Sequence, residues 1–502
     1  MSWWLWILVV VGALLVGTVG YDLVQRKHSI LRNYPIVGHL RFALERVGPE
    51  LRQYIVTDND EERPFSRDQR RWVYASAKGE NSYFGFGTDN RPDEPGYPIF
   101  RHCAFPFTPP ADHDGSVPAA KILGARTGRP GAFRPESLVN ISAMSFGALS
   151  GPAIEALNRG AARAGCLHNT GEGGISTHHR HGGELIFQIG TGCFGARDAQ
   201  GRFSLDALLE SMADAPVRAI EIKLSQGAKP GLGGVLPAAK VTKEIATARG
   251  VPVGVTVHSP SRHSTFRDVA GLVEFIEEVA AATSVPVGIK SAVGELGFWD
   301  TLAAEMTKTG GGPDFVTVDG GEGGTGAAPA VFADHVALPF RDAFPRVFDA
   351  FARHGLHHDV VFVGSGKLGF VPDAAIALAM GVDLICVGRE AMLAIGCIQA
   401  QKCHTGNCPT GVATQNPRLA RGLDPTDKSV RVGTYLEAFR HDLMTLANAM
   451  GHEHPSLIGP EQIAIRGDGG RLIDAVDALG LDRRWYDERR RESLRTTLRD
   501  GG

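Results

Sequence analysis

Eight short runs rich in β-branched and aliphatic residues punctuate the chain from residue 139 onward, at 139–142, 185–189, 219–224, 253–257, 285–289, 315–318, 360–363 and 384–387. Alanine-rich stretches of helical period lie between several of them, at 152–164, 269–282 and 374–380. Strands that alternate with helices pair in parallel through βαβ units. Runs apolar on both faces fit a sheet covered on both sides. Eight such strands predict a closed barrel rather than an open sheet.

The residues just past each run are more telling than the run itself. Ser145-Phe146-Gly147 comes after the first, Gln226 to Lys229 after the third and Lys290-Ser291 after the fifth. Asp319 opens DGGEGG after the sixth, Gly364-Ser365-Gly366-Lys367 comes after the seventh, and Gly388-Arg389 after the eighth. Barrel enzymes place their active sites at the C-terminal ends of the strands, and bind phosphate at the last two. Backbone N–H groups reach a phosphate where no Cβ intervenes, so Gly364, Gly366 and Gly388 are candidates, with Lys367 and Arg389 adding charge. Glycine is abundant to match, 63 of 502 residues, in clusters between apolar runs rather than in a low-complexity tract.

Residues 3–21, WWLWILVVVGALLVGTVGY, carry no charge. As a helix they reach about 28 Å, close to the hydrocarbon thickness of a bilayer. Tryptophans at one end and Tyr21 at the other resemble an aromatic belt. A cleaved signal is the rival reading, but no Lys or Arg precedes the run, while Arg26, Lys27 and Arg32 come after it. The expectation is a single-pass membrane protein with everything after residue 25 cytoplasmic. The fold class is then α/β: a (β/α)8 TIM barrel with an N-terminal transmembrane helix and helical extensions. Its expected divisions are a transmembrane helix at 1–24, a helical and loop region at 25–130, the barrel at 131–455 and a charged, helical C-terminal extension at 456–502. A net charge of −3, from 52 basic and 55 acidic residues, gives no electrostatic case for nucleic acid.

Of the seven cysteines, Cys397, Cys403 and Cys408 are bunched within twelve residues, the last next to a proline. Iron–sulfur ligation, zinc with His404 as a fourth ligand, and buried structural thiols all remain open on spacing alone. Lys223, Lys229 and Lys290 lie at or just beyond strand ends. There a buried cation stabilises a reduced flavin or clamps a carboxylate, unless the side chains snorkel to the surface.

Taken together, ISAMSFGALS (141–150), NTGEGG (169–174), KLSQGAKPGLGG (223–234), DGGEGGTGAAP (319–329) and GCIQAQKCHTGNCPTGVATQ (396–415) resemble the FMN-binding synthase domain of glutamate synthases over roughly residues 130–430. The resemblance implies FMN at the barrel mouth, with Ala143, Met144 and Ser145 near its ring and Lys223 and Lys290 near its polar edge. It places Gly323, Gly324, Gly364, Gly366 and Gly388 around the phosphate, with Asp319, Ser365 and Arg389 also among the cofactor-binding residues. It implies a [3Fe-4S] cluster on Cys397, Cys403 and Cys408. Glu172, Lys229 and Arg249 fall where the family handles 2-oxoglutarate, with Lys223, Lys229 and Glu172 as the catalytic set and Ser145 and Arg249 as substrate contacts. Arg249 matches by count alone.

The implied reaction is reductive amination of a 2-oxoglutarate-like acid with external ammonia. A membrane-anchored electron-transfer flavoprotein without that activity is the alternative. The family's GEGGQLPG reads GLGGVLPA at 231–238, so Val235 replaces a glutamine that contacts the oxoacid. A valine donates no hydrogen bond. The implied partners are a 2-oxoacid or amino acid and, since no stretch reads as an NAD(P)H-binding Rossmann unit, an external electron-donor protein or membrane carrier.

Overall fold

A computed structural model describes residues 3–25, 29–52, 56, 61–80, 87–88, 90–110 and 115–500. It divides into two units, residues 1–71 and 72–502. The first opens on the helix Trp3–Val24, long and apolar enough to cross a membrane. Near its end the Asp22 carboxylate accepts hydrogen bonds from the Ile36 amide (3.1 Å) and the His39 imidazole (2.9 Å). That ties the helix to the later one, Val37–Leu51. Arg26 and Lys27, on which the orientation expectation partly rests, lie outside the described residues.

The second unit holds a closed barrel of eight parallel strands. We number them β1 (Val139–Ile141), β2 (His168–Asn169), β3 (Leu185–Ile189), β4 (Val217–Lys223), β5 (Val287–Ser291), β6 (Phe315–Asp319), β7 (Val361–Ser365) and β8 (Leu384–Val387). Each pairs with its sequence neighbour, and β8 closes onto β1 through Cys386↔Asn140. Apart from the first residues of β4 and its last, every barrel-strand residue is buried, as a sheet wrapped by helices requires.

The expected strand at 253–257 is not in the barrel. Val257–His258 pairs antiparallel with Val235–Leu236 in a two-stranded excursion between β4 and β5. Pro252 and Gly254 interrupt that run, and Val253 and Val255 are exposed, so its apolar residues never face two covered sides. Its place is taken by β2, only two residues long and both polar. The fifth strand begins at Val287, two residues later than expected. The C-terminal extension is also less helical than expected. Ile463–Arg466 and Leu472–Asp474 form a three-stranded antiparallel sheet with Pro98–Phe100, ahead of the charged helix Glu488–Asp500.

Local chemistry fixes the helices. Gly151–Ala164 starts at Ser150, whose hydroxyl caps the Ala153 amide, with Pro152 in its first turn. It ends at Gly165 in the left-handed region (φ 62°). The 25-residue helix Pro425–Ala449 lies against it. A Cβ on Gly160 would stand 2.1 Å from Val432 Cγ1, and one on Gly433 2.6 Å from Arg163 Cδ. The two helices thus meet at a glycine on each.

Candidate active site at the barrel mouth

A cavity of about 120 Å³, partly open to solvent, lies at the C-terminal ends of the strands. Ala143 and Met144 enter it after β1, Lys223 at the end of β4 and Lys290 from β5. β6 supplies Asp319 with Gly323 and Gly324, β7 supplies Ser365 and Gly366, and Gly388 and Arg389 come just after β8. Lys367, placed beside the phosphate by its charge, lines it too. Of the residues expected at the cofactor, Gly364 and Ser145 are not on this wall. Gly364 faces the packed layer, where a Cβ would stand 2.8 Å from Leu368 Cδ1.

Charge in the cavity is paired. Lys290 Nζ lies 3.3 Å from Asp319 Oδ1, and Asp319 Oδ2 accepts the Gly227 amide at 2.8 Å. Burial works against the Lys290 ammonium, but Asp319 and Glu221 outweigh it and raise its pKa. Burial pushes the Cys386 thiol up to about 12, so it lines the cavity as a neutral group. A Cβ on Gly388 meets nothing nearer than Ser142 Cβ at 3.5 Å. The glycine therefore leaves open a space that any other residue would fill.

Beside this cavity lies a second group. The Glu172 carboxylate is 3.2 Å from Lys223 Nζ, and Lys223 also donates to Gln226 at 2.6 Å. Lys223 thus belongs to both groups. Burial pushes the Glu172 carboxyl up, yet Lys223, Lys229 and Arg249 together hold it below the usual carboxylate range. Gly190 and Gly234 fit around it: a Cβ there would stand 2.6 Å from Glu172 Oε2 or 3.3 Å from Glu172 Oε1. Burial lowers the pKa of Lys229 more than Glu172 raises it.

Arg249, matched by count alone, is no surface residue. It ends the helix Lys243–Arg249 and is buried, with its guanidinium 3.1 Å from the Phe146 carbonyl, 3.5 Å from Ser145 Oγ and over the Phe194 ring. Its Nε is buried without a partner among the described residues. Ser145 therefore belongs with the charged group. Val235 is half-exposed, one residue from Gly234.

The cysteine loop comes after the helix Arg389–Ala394. Tyr74 Oη donates to the Cys397 carbonyl (2.8 Å), and the Gln399 amide points at Cys397 Sγ (3.4 Å). A Cβ on Gly326 would lie 3.1 Å from Cys403 Cβ, so the loop after β6 touches this one. Burial raises the Cys408 thiol, but backbone amides of Ala413, Thr410 and Val412 hold it below the ordinary thiol range. Such N–H···S contacts suit a thiolate ligand. Among the described residues, however, no three His, Cys, Asp or Glu side chains stand close enough to hold a metal ion.

Gln226, noted after its strand, lines the cavity, and Gln188 and Cys386 line it without having been expected there. The available signal was Gln188 itself, a polar residue inside the apolar run LIFQI; Glu221 in RAIEIK is its counterpart on β4.

A closed parallel barrel with cations and glycines at its C-terminal mouth has the architecture of the (β/α)8 barrel enzymes. Residues 129–453 match the family described as the conserved region in glutamate synthase. The glutamate synthase large subunit-like protein YerD of Bacillus subtilis is 37% identical over 491 residues, 91% of this chain and 93% of that protein. The archaeal-type glutamate synthase [NADPH] of Thermotoga neapolitana is 35% identical over 335 residues, and the match spans 62% of that protein's length. The glutamate synthase large subunit-like protein of Rhizobium meliloti is 32% identical over 367 residues, 69% of this chain and 78% of that protein. The chain belongs to the glutamate synthase family, and with it to the oxidoreductases acting on CH–NH2 donors.

Proposed function

We propose that this chain is an FMN-dependent oxidoreductase acting at the carbon–nitrogen bond of a 2-oxoacid and amino acid pair, with ammonia supplied from outside. The observation that carries this reading is Lys223, shared between a glycine-walled cavity and a buried Glu172–Lys229–Arg249 group. The cavity residues suit FMN: the space at Gly388 is open, Arg389 and Lys367 match a phosphate, and Lys290 and Lys223 match a ring that gains negative charge. Bound there, FMN would supply the hydride chemistry.

The remaining tasks fall to side chains. Arg249 and Lys229 are the cations for substrate carboxylates. Lys229, its pKa lowered, releases a proton from Nζ more readily than an exposed lysine. It is the donor for the oxygen that leaves as water when ammonia displaces it. Glu172, kept ionised, holds Lys223 Nζ in place.

Cys397, Cys403 and Cys408 are the proposed [3Fe-4S] ligands, supported by the amide contacts on Cys397 and Cys408 and by the family's cysteine spacing. The thiols are not gathered into a ligand set in this structure, so no step is routed through the cluster. The helix Trp3–Val24 supports a single-pass anchor with the barrel on the cytoplasmic side, and an external protein or membrane carrier as electron donor. Val235 favours one alternative, electron transfer without amination.

Anaerobic purification in mild detergent, with absorption and EPR spectra before and after dithionite, tests the cofactors. Reoxidation of the reduced flavin by 2-oxoacids with ammonia tests the reaction. Flavin that 2-oxoacids never reoxidise, but that a quinol analogue reduces in membranes, would leave the electron-transfer alternative standing.

A further inference from the structure

One charged residue inside the barrel has no role in the proposed reaction. Glu221, on β4, is 2% exposed, a position where an uncompensated carboxylate is costly. It is fully engaged. Oε1 accepts from Asn169 Nδ2 of β2 at 2.8 Å and from Gln188 Nε2 of β3 at 2.6 Å, and Oε2 accepts from Thr317 Oγ1 of β6 at 2.6 Å. Asn169 is pinned at its other end too, because its oxygen accepts the Gly171 amide at 3.0 Å. Three donors suit an ionised carboxylate, which only accepts. On the neighbouring strand, Lys290 Nζ is paired with Asp319 at 3.3 Å.

Glu221 does not line the cofactor cavity, but Gln188 and Lys290 do. An amide that gives its NH2 to a carboxylate has its orientation decided. The Gln188 carbonyl oxygen is then free to accept, from the ring N–H of an oxidised flavin, and one amide N–H remains beside it. Lys290 likewise brings less net positive charge to the cavity than its position alone would give.

We propose that Glu221 is the positioning residue of the flavin site: it sets the Gln188 amide as an acceptor and, as a carboxylate directly behind that wall residue, holds down the flavin's reduction potential. This rests on the FMN reading. A reduced flavin carries added negative charge, so a nearby carboxylate disfavours reduction and a nearby ammonium favours it. Glu221 therefore acts twice, through a hydrogen bond and through its charge, and the two effects separate experimentally.

The test uses the full-length protein in detergent, with FMN dissociation constants and midpoint potentials measured for wild type, Glu221→Gln, Glu221→Asp and Gln188→Leu. Wild type without FMN would sink the FMN reading itself, before Glu221 is in question. With FMN bound, Glu221→Gln is expected to weaken it at least about tenfold, the scale of a hydrogen bond to a charged group, and to move the potential upward. Glu221→Asp keeps the charge but withdraws the carboxylate, so affinity should fall while the potential stays nearer wild type. Adding Gln188→Leu to Glu221→Gln should cost little further affinity, because both remove one interaction. Wild-type affinity and potential in a folded Glu221→Gln protein would overturn the proposal. If that variant does not fold, wild-type affinity in Glu221→Asp would do the same.

Discussion

Around β5 to β8 the barrel mouth sets four glycines among charged side chains such as Lys290, Asp319 and Arg389, whereas around β1 to β4 it is built from charged side chains that hold one another in place. Gly323, Gly324, Gly366 and Gly388 shape the first side by having no Cβ. Glu172, Lys223, Lys229 and Arg249 shape the second, where burial lowers the pKa of Lys229 and Arg249 while the three cations hold Glu172 ionised and Glu172 pairs with Lys223. The glycine side selects by shape and fails when an atom is added. The charged side selects by electrostatics and fails when a partner is removed, because a buried charge without its partner costs several kcal/mol.

Lys223 is where the comparison breaks most sharply, since it serves both sides. Lys223→Met is expected to lower turnover by about 10²–10³-fold, the cost of removing one preorganised charge-stabilising donor. The measurement is single-turnover reoxidation of the reduced protein by substrate. A loss under tenfold would show that the two sides work independently.

Gly388→Val strikes the glycine side alone. A Cβ at this position meets nothing nearer than 3.5 Å, so the chain should still fold, as circular dichroism checks, while its added methyls occupy the cavity. FMN affinity should fall by about a hundredfold, the scale of a steric clash of a few kcal/mol. Equilibrium dialysis against FMN reads this directly, and unchanged binding would move the phosphate end away from β8.

The charged side is sharpened by acid. The folded pKa of Glu172 lies below its ordinary value of 4.5, so its stabilising contribution is complete above that value. It is lost as pH falls from 4.5 through the folded pKa, where the unfolded chain binds the extra proton. Wild type should therefore lose Tm more steeply than Glu172→Gln over that interval. Parallel Tm profiles for the two proteins would mean that the surrounding cations do not hold Glu172 ionised.

The two sides also differed in how far the sequence revealed them. Glycine clusters after β6, β7 and β8 announce backbone surfaces directly, and strands such as LIFQI stand out because both faces are apolar. β2 does not, because His168 and Asn169 are polar and their burial comes from the neighbouring strands. Run 253–257 misleads for the converse reason: it is rich in valine but leaves Val253 and Val255 exposed. Arg249 could be counted into register, but its burial over Phe194 depends on a helix from the β4–β5 excursion folding back. No local pattern encodes that return. Gln188 and Glu221 show the remedy, since a lone polar residue inside a two-sided apolar run marks a buried network.

The smallest expected effect concerns Val235. It is half-exposed on the excursion, and its neighbour Gly234 stands against Glu172 and Lys229, so a longer polar side chain there borders the charged side without entering the cofactor cavity. Val235→Gln adds one donor where the family carries glutamine. One neutral hydrogen bond contributes about 0.5–1.5 kcal/mol, roughly a three- to tenfold tighter apparent 2-oxoacid affinity. FMN binding should not change, because Val235 does not line that cavity. Titration of the oxidised flavin spectrum with 2-oxoacid measures both quantities in one experiment. Tighter binding would show that the charged side still recognises an oxoacid and lacks only this contact. No gain would mean that its cations serve a different anion, and would shift weight toward electron transfer as the barrel's task.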